Sequence, residues 1–342
     1  MQSVKHPENN IHPIFDEFDR LYSELSVKKQ EKRLINPVYD ISFKPLIELF
    51  KQYSWDGVIK YADNGFKPLK TPKTERRKSV IVCFSGGKDS IATVEHYIKA
   101  GYTVYLYHLK RINPPLYDEC IQAEKLAEYW GIPIYIDSIS LSGKHDYIEH
   151  PMKNMLIANG ALQYGIKAGI TSNIAFGNYT TSSLEYDNFE FCGGDDFEMW
   201  DVYNSIIQKI IPGFKVNVIL ENIGETLDKV CKNKKLLDLS VSCLGRASMR
   251  KYWHDWVKRK FNVDLPTHRC GRCYKCCMEY IYMADHGLQK YDENYYQYCF
   301  NNLRKNVERE DERFYNDECV WNHYFFYDMS SSAYYKKELQ TT

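Results

Sequence analysis

The stretch Ser79-Val80-Ile81-Val82-Cys83-Phe84-Ser85-Gly86-Gly87-Lys88-Asp89-Ser90 decides the fold. Six residues of buried-strand character run straight into a glycine pair, and Ile91-Ala92-Thr93-Val94 then opens a helix. Strand, tight turn and helix in that order make a ready anion site. The glycines let the backbone come close to a phosphate, and the first free N–H groups of the helix, with its positive end, attract the charge. Ser85 and Ser90 add hydroxyl donors, and Lys88 adds a cation. Asp89 would repel a phosphate unless a divalent cation lay between them, so the loop implies Mg²⁺ as well as a phosphate group. The spacing is neither the G-x-x-x-x-G-K-[ST] of a Walker loop nor the three-glycine dinucleotide fingerprint.

Working outward, short β-rich runs alternate with helical stretches, the pattern of βαβ units and a parallel sheet. Strands are predicted at Ser79–Phe84, Thr103–His108, Pro133–Asp137, Asn173–Gly177 and Phe214–Leu220. Helices are predicted at Ser90–Ala100, Tyr117–Trp130, Met152–Ala168, Phe197–Ile210 and Ile223–Cys231, with Gly101 and Gly131 as C-terminal caps. The expected fold is therefore α/β, a doubly wound parallel five-stranded sheet. Residues 1–77 read as a helical N-terminal extension, with segments at His12–Leu25 and Phe43–Tyr53, ending in the basic run Lys67–Lys78. Residues 78–240 form the nucleotide domain, 241–298 a cysteine-bearing region, and 299–342 an aromatic-rich tail.

The chain has 342 residues, 44% apolar and 26% charged, which is enough to bury a core. Lys plus Arg and Asp plus Glu balance at 45 each, so no global basic field points to nucleic acid. The basic run before Ser79 reads as a solvated linker rather than a nucleic-acid arm. No apolar run is long enough to span a membrane and the polar start lacks a signal-peptide core, so a cytoplasmic protein is expected. In that reducing setting eleven cysteines argue for metal binding over disulfides.

Cys270-Gly271-Arg272-Cys273-Tyr274-Lys275-Cys276-Cys277 holds two overlapping C-x-x-C units, and Cys243 lies upstream in Ser242-Cys243. Four thiolates from Cys243, Cys270, Cys273 and Cys276 suit a closed, structural Zn²⁺ site, with Gly271 permitting the knuckle. An iron–sulfur cluster and unliganded thiols are the competing readings, and Cys277 either replaces Cys276 or packs. Cys83 and Cys120 read as small core residues.

The loop resembles the S-G-G-x-D-S loop of the PP-loop ATP pyrophosphatases, a HUP-like group. Loop and knuckle together resemble the 7-cyano-7-deazaguanine synthase family over roughly Ser79 to Gly287. Pro151-Met152-Lys153-Asn154 looks like that family's Pro-x-Arg-Asn segment with Lys for Arg. Ile174-Ala175-Phe176-Gly177 looks like its fourth strand, and Asp195-Asp196-Phe197 falls near its acidic substrate segment. The resemblance implies ATP, Mg²⁺ and Zn²⁺ as cofactors. The expected activity is adenylation of 7-carboxy-7-deazaguanine, with release of AMP and pyrophosphate and formation of an amide or the nitrile preQ0.

Phosphate contacts are expected from Ser85, Gly86, Gly87, Lys88, Asp89 and Ser90, the catalytic group being Lys88, Asp89 and Ser90. His108 and Gly177 are expected beside the nucleotide, although a lone strand-end histidine is more often structural. Lys153, Asn154, Asn178 and Asp196 are expected on the acid side, with Thr180 close by.

Two departures narrow the expectation. Where the family has a lysine after its fifth strand, this chain reads Glu221-Asn222-Ile223-Gly224-Glu225-Thr226, and 26 residues separate Cys243 from Cys270 where the family gap is much shorter. The chain is in this respect similar to the synthase-like proteins of some anti-phage operons, implicated in joining a deazaguanine to a protein amine. Ammonia or a protein amine is thus the expected acceptor, and a partner protein of a defence operon and a second copy of the chain are the expected associates. The rival readings are a PP-loop sulfurtransferase modifying tRNA or DNA, and a non-catalytic nucleotide-binding scaffold.

Overall fold

A computed structural model describes residues 78–113, 117–140, 150–169, 173–179, 214–221, 223–243 and 247–302, with Trp200, Asn204 and Gln208 between them. The expectations for residues 1–77, for Thr180 and Asp196, and for the tail beyond 302 lie outside the described residues.

The strands are β1 (Ser79–Cys83), β2 (Thr103–Asn113), β3 (Ile134–Ser140), β4 (Asn173–Tyr179) and β5 (Lys215–Glu221). They form one parallel sheet in the order β3-β2-β1-β4-β5. Ser79 pairs with Thr103 through to Cys83 with Tyr107, and Leu106 pairs with Ile134 through to Asn113 with Ser140. The helices are α1 (Lys88–Lys99), α2 (Tyr117–Trp130), α3 (His150–Ala168), α4 (Ile223–Cys231), α5 (Lys234–Leu239), α6 (Ala247–Phe261) and α7 (Tyr274–Asp285), followed by a helical segment over 293–302. The α/β class and the five strands agree with the sequence reading. Gly101 and Gly131 follow α1 and α2 at positive φ, as expected of caps. Trp200, Asn204 and Gln208, the described residues of the expected 197–210 helix, are helical.

β2 runs five residues past its expected end at His108. The reason is the unequal length of its neighbours. β1 stops at Cys83 opposite Tyr107, while β3 goes on pairing with Leu109, Lys110 and Arg111. Beyond Tyr107 the β1 side of β2 is an edge, where charged residues are tolerated. His108 accordingly lies inside β2 rather than closing it.

Two compact units divide the chain, one of residues 1–77, 143–174 and 186–216, the other of 78–142, 175–185 and 217–342. In the first, α3 buries Ala158, Ala161 and Leu162, and Asn204 bonds both backbone groups of Val216 through its side-chain amide, at 2.8 and 3.0 Å. In the second, Val80, Val82, Ile91, Val94 and Leu106 join Leu227, Val230, Tyr280 and Ile281 of α4 and α7 in one core. Each such side chain stabilises the fold by roughly 1.5–3 kcal/mol when fully buried. Among the described residues no helix is long and apolar enough to cross a membrane.

Among the described residues, α5, α6, α7 and the helical segment over 293–302 have no counterpart in the elements expected from the sequence. Of these, α6 and α7 bracket the cysteine knuckle, and α6 occupies most of the interval between Cys243 and Cys270. Its core-facing residues include Val257 and Phe261, and Trp256 packs against the same core.

Candidate phosphate loop and metal centre

In a doubly wound sheet ligands bind beyond the carboxyl ends of the strands, where the order reverses. Here that point lies between β1 and β4. The Ser85–Ser90 loop leaves the carboxyl end of β1, and Gly177 lies near the carboxyl end of β4. The two are in direct contact. A Cβ added at Gly177 would stand 2.1 Å from Thr93 Oγ1 and 2.3 Å from the Asp89 carbonyl oxygen. Only glycine lets the first turn of α1 lie against β4 so closely. Gly177, expected beside the nucleotide, thus seats the loop against β4.

Within the loop the polar groups satisfy one another. Gly86 takes φ +76°, a conformation other residues rarely adopt, and turns the chain into α1. The Ser85 amide donates to Ser90 Oγ (3.3 Å), the Gly87 amide to Ser85 Oγ (3.3 Å), and Ser90 Oγ donates to the Gly87 carbonyl (3.0 Å). Thr93 Oγ1 donates to the Asp89 carbonyl at 2.9 Å. Two hydroxyls thus face backbone amides that a phosphate oxygen would accept from. Lys88 is 2% exposed, and its ammonium lies 2.6 Å from Asp89 Oδ1, whose side chain is 24% exposed. The cation expected to meet phosphate here bonds its sequence neighbour. This pairing answers the cost of burying an ammonium, which is large without a partner.

His108 is 4% exposed, and its Nδ1 is 2.8 Å from the carbonyl of Phe84, the residue just before the loop. Burial holds its pKa below the ordinary histidine value, against the upward pull of that carbonyl. A neutral ring donating from Nδ1 pins β2 to the exit of β1. Asn178 follows Gly177 in β4, in the same unit as the loop, whereas Lys153 and Asn154 stand on α3 in the other unit.

The cysteine cluster assembles from the residues named by spacing. The sulfurs of Cys243, Cys270, Cys273 and Cys276 all lie within 4.8 Å of one another. Cys273 is 3.4 Å from Cys276 and 3.9 Å from Cys243, and Cys270 is 3.9 Å from Cys276. Zinc–sulfur bonds of about 2.3 Å in a tetrahedron set sulfur–sulfur edges of about 3.8 Å. The cage therefore fits one tetrahedral ion. A four-iron cluster, whose thiolates sit on four different metals, needs a wider one.

The amides of Arg272 and Cys273 each donate to Cys270 Sγ at 3.3 Å, closing the knuckle. Hydrogen bonding with Cys243 pushes Cys273 and Cys276 above the ordinary thiol pKa, and the same interaction acts upward on Cys270. There it is outweighed by the bonds from Cys273 and Cys276, so Cys270 falls to about 7. Crowded thiols of this kind ionise together only around a cation. Cys277 points away from the cage, toward the carbonyls of Gly271 and Arg272, and so packs rather than ligates. Cys83 and Cys120 are buried, as expected of core cysteines. Arg272 stacks on Trp253 at 3.8 Å, and Trp253 packs against the cluster.

No family model matches this chain. No curated protein matches it either. Among solved structures, the U34-tRNA thiolase NcsA from Methanococcus maripaludis with its [4Fe-4S] cluster is similar at 16% sequence identity, with a TM-score of 0.34, over 63% of this chain and 74% of that one. A likeness at that score supports no inference, and the functional reading rests on the residues themselves.

Two features escaped the sequence reading. Arg269, 2% exposed, donates from Nε and Nη2 to the buried Glu279 carboxylate, and from Nη1 and Nη2 to the carbonyl and hydroxyl of Ser240 at 2.6 and 2.7 Å. Residues 240–243 also run beside the loop. The Val241 amide donates to the Gly86 carbonyl at 2.9 Å, and the Lys88 amide donates to Ser242 Oγ at 3.1 Å. The sequence signal for this pair is an arginine directly before a C-x-x-C unit, with Glu279 ten residues on.

Proposed function

We propose that this chain is an AMP-forming C–N ligase of the PP-loop type, which adenylates 7-carboxy-7-deazaguanine and passes the acyl group to an amine. The observation that carries the reading is the Ser85–Ser90 loop at the switch point of the sheet, with its two hydroxyls on the Ser85 and Gly87 amides just before α1. A carboxylate is a poor electrophile. Its oxygen attacks the α-phosphorus of ATP, the bond to the bridging oxygen breaks, and pyrophosphate leaves with the electron pair. The amine then adds to the acyl carbon, AMP departs, and the amine proton is lost to solvent.

The chain's part is electrostatic. Gly86 and Gly87 let the backbone close on the departing pyrophosphate, Ser85 and Ser90 offer hydroxyls, and the helix end and Lys88 meet its charge. Asp89 would hold Mg²⁺, which supplies charge neutralisation at the phosphates. The thiolates of Cys243, Cys270, Cys273 and Cys276 would hold Zn²⁺ in a closed site, a structural role with no position left for water. The acceptor is ammonia or an amine of a partner protein.

The test is incubation with ATP, Mg²⁺ and 7-carboxy-7-deazaguanine, with and without ammonia or a candidate protein, read by mass spectrometry. AMP formation that depends on the acid supports the reading, and the product mass separates nitrile, amide and conjugate. Bound ATP with no acid-dependent AMP would make the chain a nucleotide-binding scaffold and overturn the proposal. Metal analysis adds a second arm: stoichiometric zinc in a colourless protein agrees, whereas a brown, oxygen-sensitive preparation points to a sulfurtransferase. Asp89→Ala is expected to abolish pyrophosphate release and, because it strips the buried Lys88 ammonium of its carboxylate, to lower the melting temperature as well; unchanged turnover would sink the assignment of the loop.

A further inference from the structure

Four consecutive residues between α5 and α6 each carry a tie. Ser240 is gripped by the guanidinium of Arg269, the residue immediately before Cys270. Val241 donates its amide to the carbonyl of Gly86. Ser242 accepts the amide of Lys88, the first residue of α1. Cys243 belongs to the four-sulfur cage. All four are buried, so water is a poor substitute for any of these bonds. We propose that this segment is a strap through which the occupied cysteine cage fixes the conformation of the phosphate loop, with Ser242 as its positioning residue.

The argument is mechanical and specific. The strap touches the loop at the two positions where it departs from ordinary structure: the left-handed Gly86 and the first amide of α1. One end of the strap is a metal ligand, and the other is held by an arginine attached to the next ligand. Without an ion, four crowded thiols hold one another only by weak S–H contacts of 3.4–3.9 Å. With an ion, all four sulfurs are bonded to one point, and Ser242, next to Cys243, loses most of its freedom. Coupling of this kind is reciprocal, so a ligand that orders the loop tightens the cage in turn.

The inference rests on the cysteine cage as a metal site and on Ser85–Ser90 as a nucleotide loop; metal content measured before and after chelation tests the first, ATP binding the second, and amide exchange the strap. Amide hydrogen exchange is followed across residues 85–90 in the full-length protein as purified with its metal, after chelation, and in Ser242→Ala and Ser242→Thr. Chelation and Ser242→Ala are each expected to speed exchange in the peptide holding Gly86–Lys88 about tenfold, the scale of one lost hydrogen bond. Strands β1 and β2 should keep their protection, which distinguishes loosening from unfolding. Ser242→Thr, which retains the hydroxyl, should restore slow exchange, a rescue that a mere packing role would not give. Exchange in that peptide unchanged on chelation, or unchanged in Ser242→Ala, overturns the strap. Failure of the metal-loaded wild-type protein to bind ATP would instead remove the nucleotide reading, and the exchange result would still decide the strap.

Discussion

Replacing Gly177 by alanine should harm this protein although it adds a single methyl group. In an unconstrained strand the change would stabilise, because glycine loses more backbone freedom on folding than alanine, by about 0.5–1 kcal/mol. At this position the new Cβ meets the Asp89 carbonyl oxygen at 2.3 Å, against about 3.4 Å for an ordinary contact. The first turn of α1 must retreat by roughly 1.1 Å, and the obstacle is backbone, which has no rotamer to turn aside. Overpacking of this kind costs about 1–3 kcal/mol, and the rigid partner puts this case near 3. For a chain of 342 residues that corresponds to a fall in melting temperature of roughly 4 °C.

The same retreat carries Lys88, Asp89 and Ser90 with it. A misplacement of about 1 Å in a reacting group can cost on the order of 100-fold in rate. The assay is a thermal melt with and without ATP, beside acid-dependent AMP formation. The double variant Thr93→Ala/Gly177→Ala adds discrimination: it removes the 2.1 Å clash with Thr93 Oγ1 but leaves the carbonyl in place, so only part of the stability should return. A single variant that melts at or above the wild-type temperature would refute the close seating of α1 on β4.

Three further outcomes are expected. Glu279→Ala leaves Arg269 charged and buried without its carboxylate, which should cost about 3–5 kcal/mol by denaturant titration; a loss below about 1 kcal/mol would show that Ser240 alone satisfies the guanidinium. Cys273→Ser should release the metal and lower the melting temperature, and normal zinc content by elemental analysis would contradict the cage. Burial lowers the His108 pKa, so its contribution to stability is fully present above the unfolded histidine value near 6.5 and is lost as pH falls toward the depressed folded value. His108→Asn should therefore flatten the fall of the denaturation midpoint between about pH 7 and 5, and a slope equal to that of the wild type would count against a buried neutral ring.

The sheet was legible because its signals are local. A β1 that is apolar from Val80 to Cys83 and runs into Gly86-Gly87 could be little else, and Cys270, Cys273 and Cys276 announce a metal site by spacing alone. Helix α6 is equally written in the chain, since Trp253, Trp256, Val257 and Phe261 recur at helical intervals. Other features had no local mark. Gly177 reads as one more strand glycine until α1 is laid against it, and the length of β2 depends on where β1 stops. Ser242 is a common residue whose one decisive contact lies 154 positions away.

That separation has a consequence for how the protein is made. The loop emerges from the ribosome early, yet Ser242, Arg269 and Cys276, on which its support depends, follow more than a hundred residues later. Chains are built from the amino terminus at about 5–20 residues per second, so the nascent loop waits some ten seconds or longer for its partners. During synthesis the glycine turn is therefore a provisional structure. A chain cut short before Cys243 could form the β1–β2 pairing and still lack the ties that finish the loop, so truncated products would carry the signature sequence without its geometry.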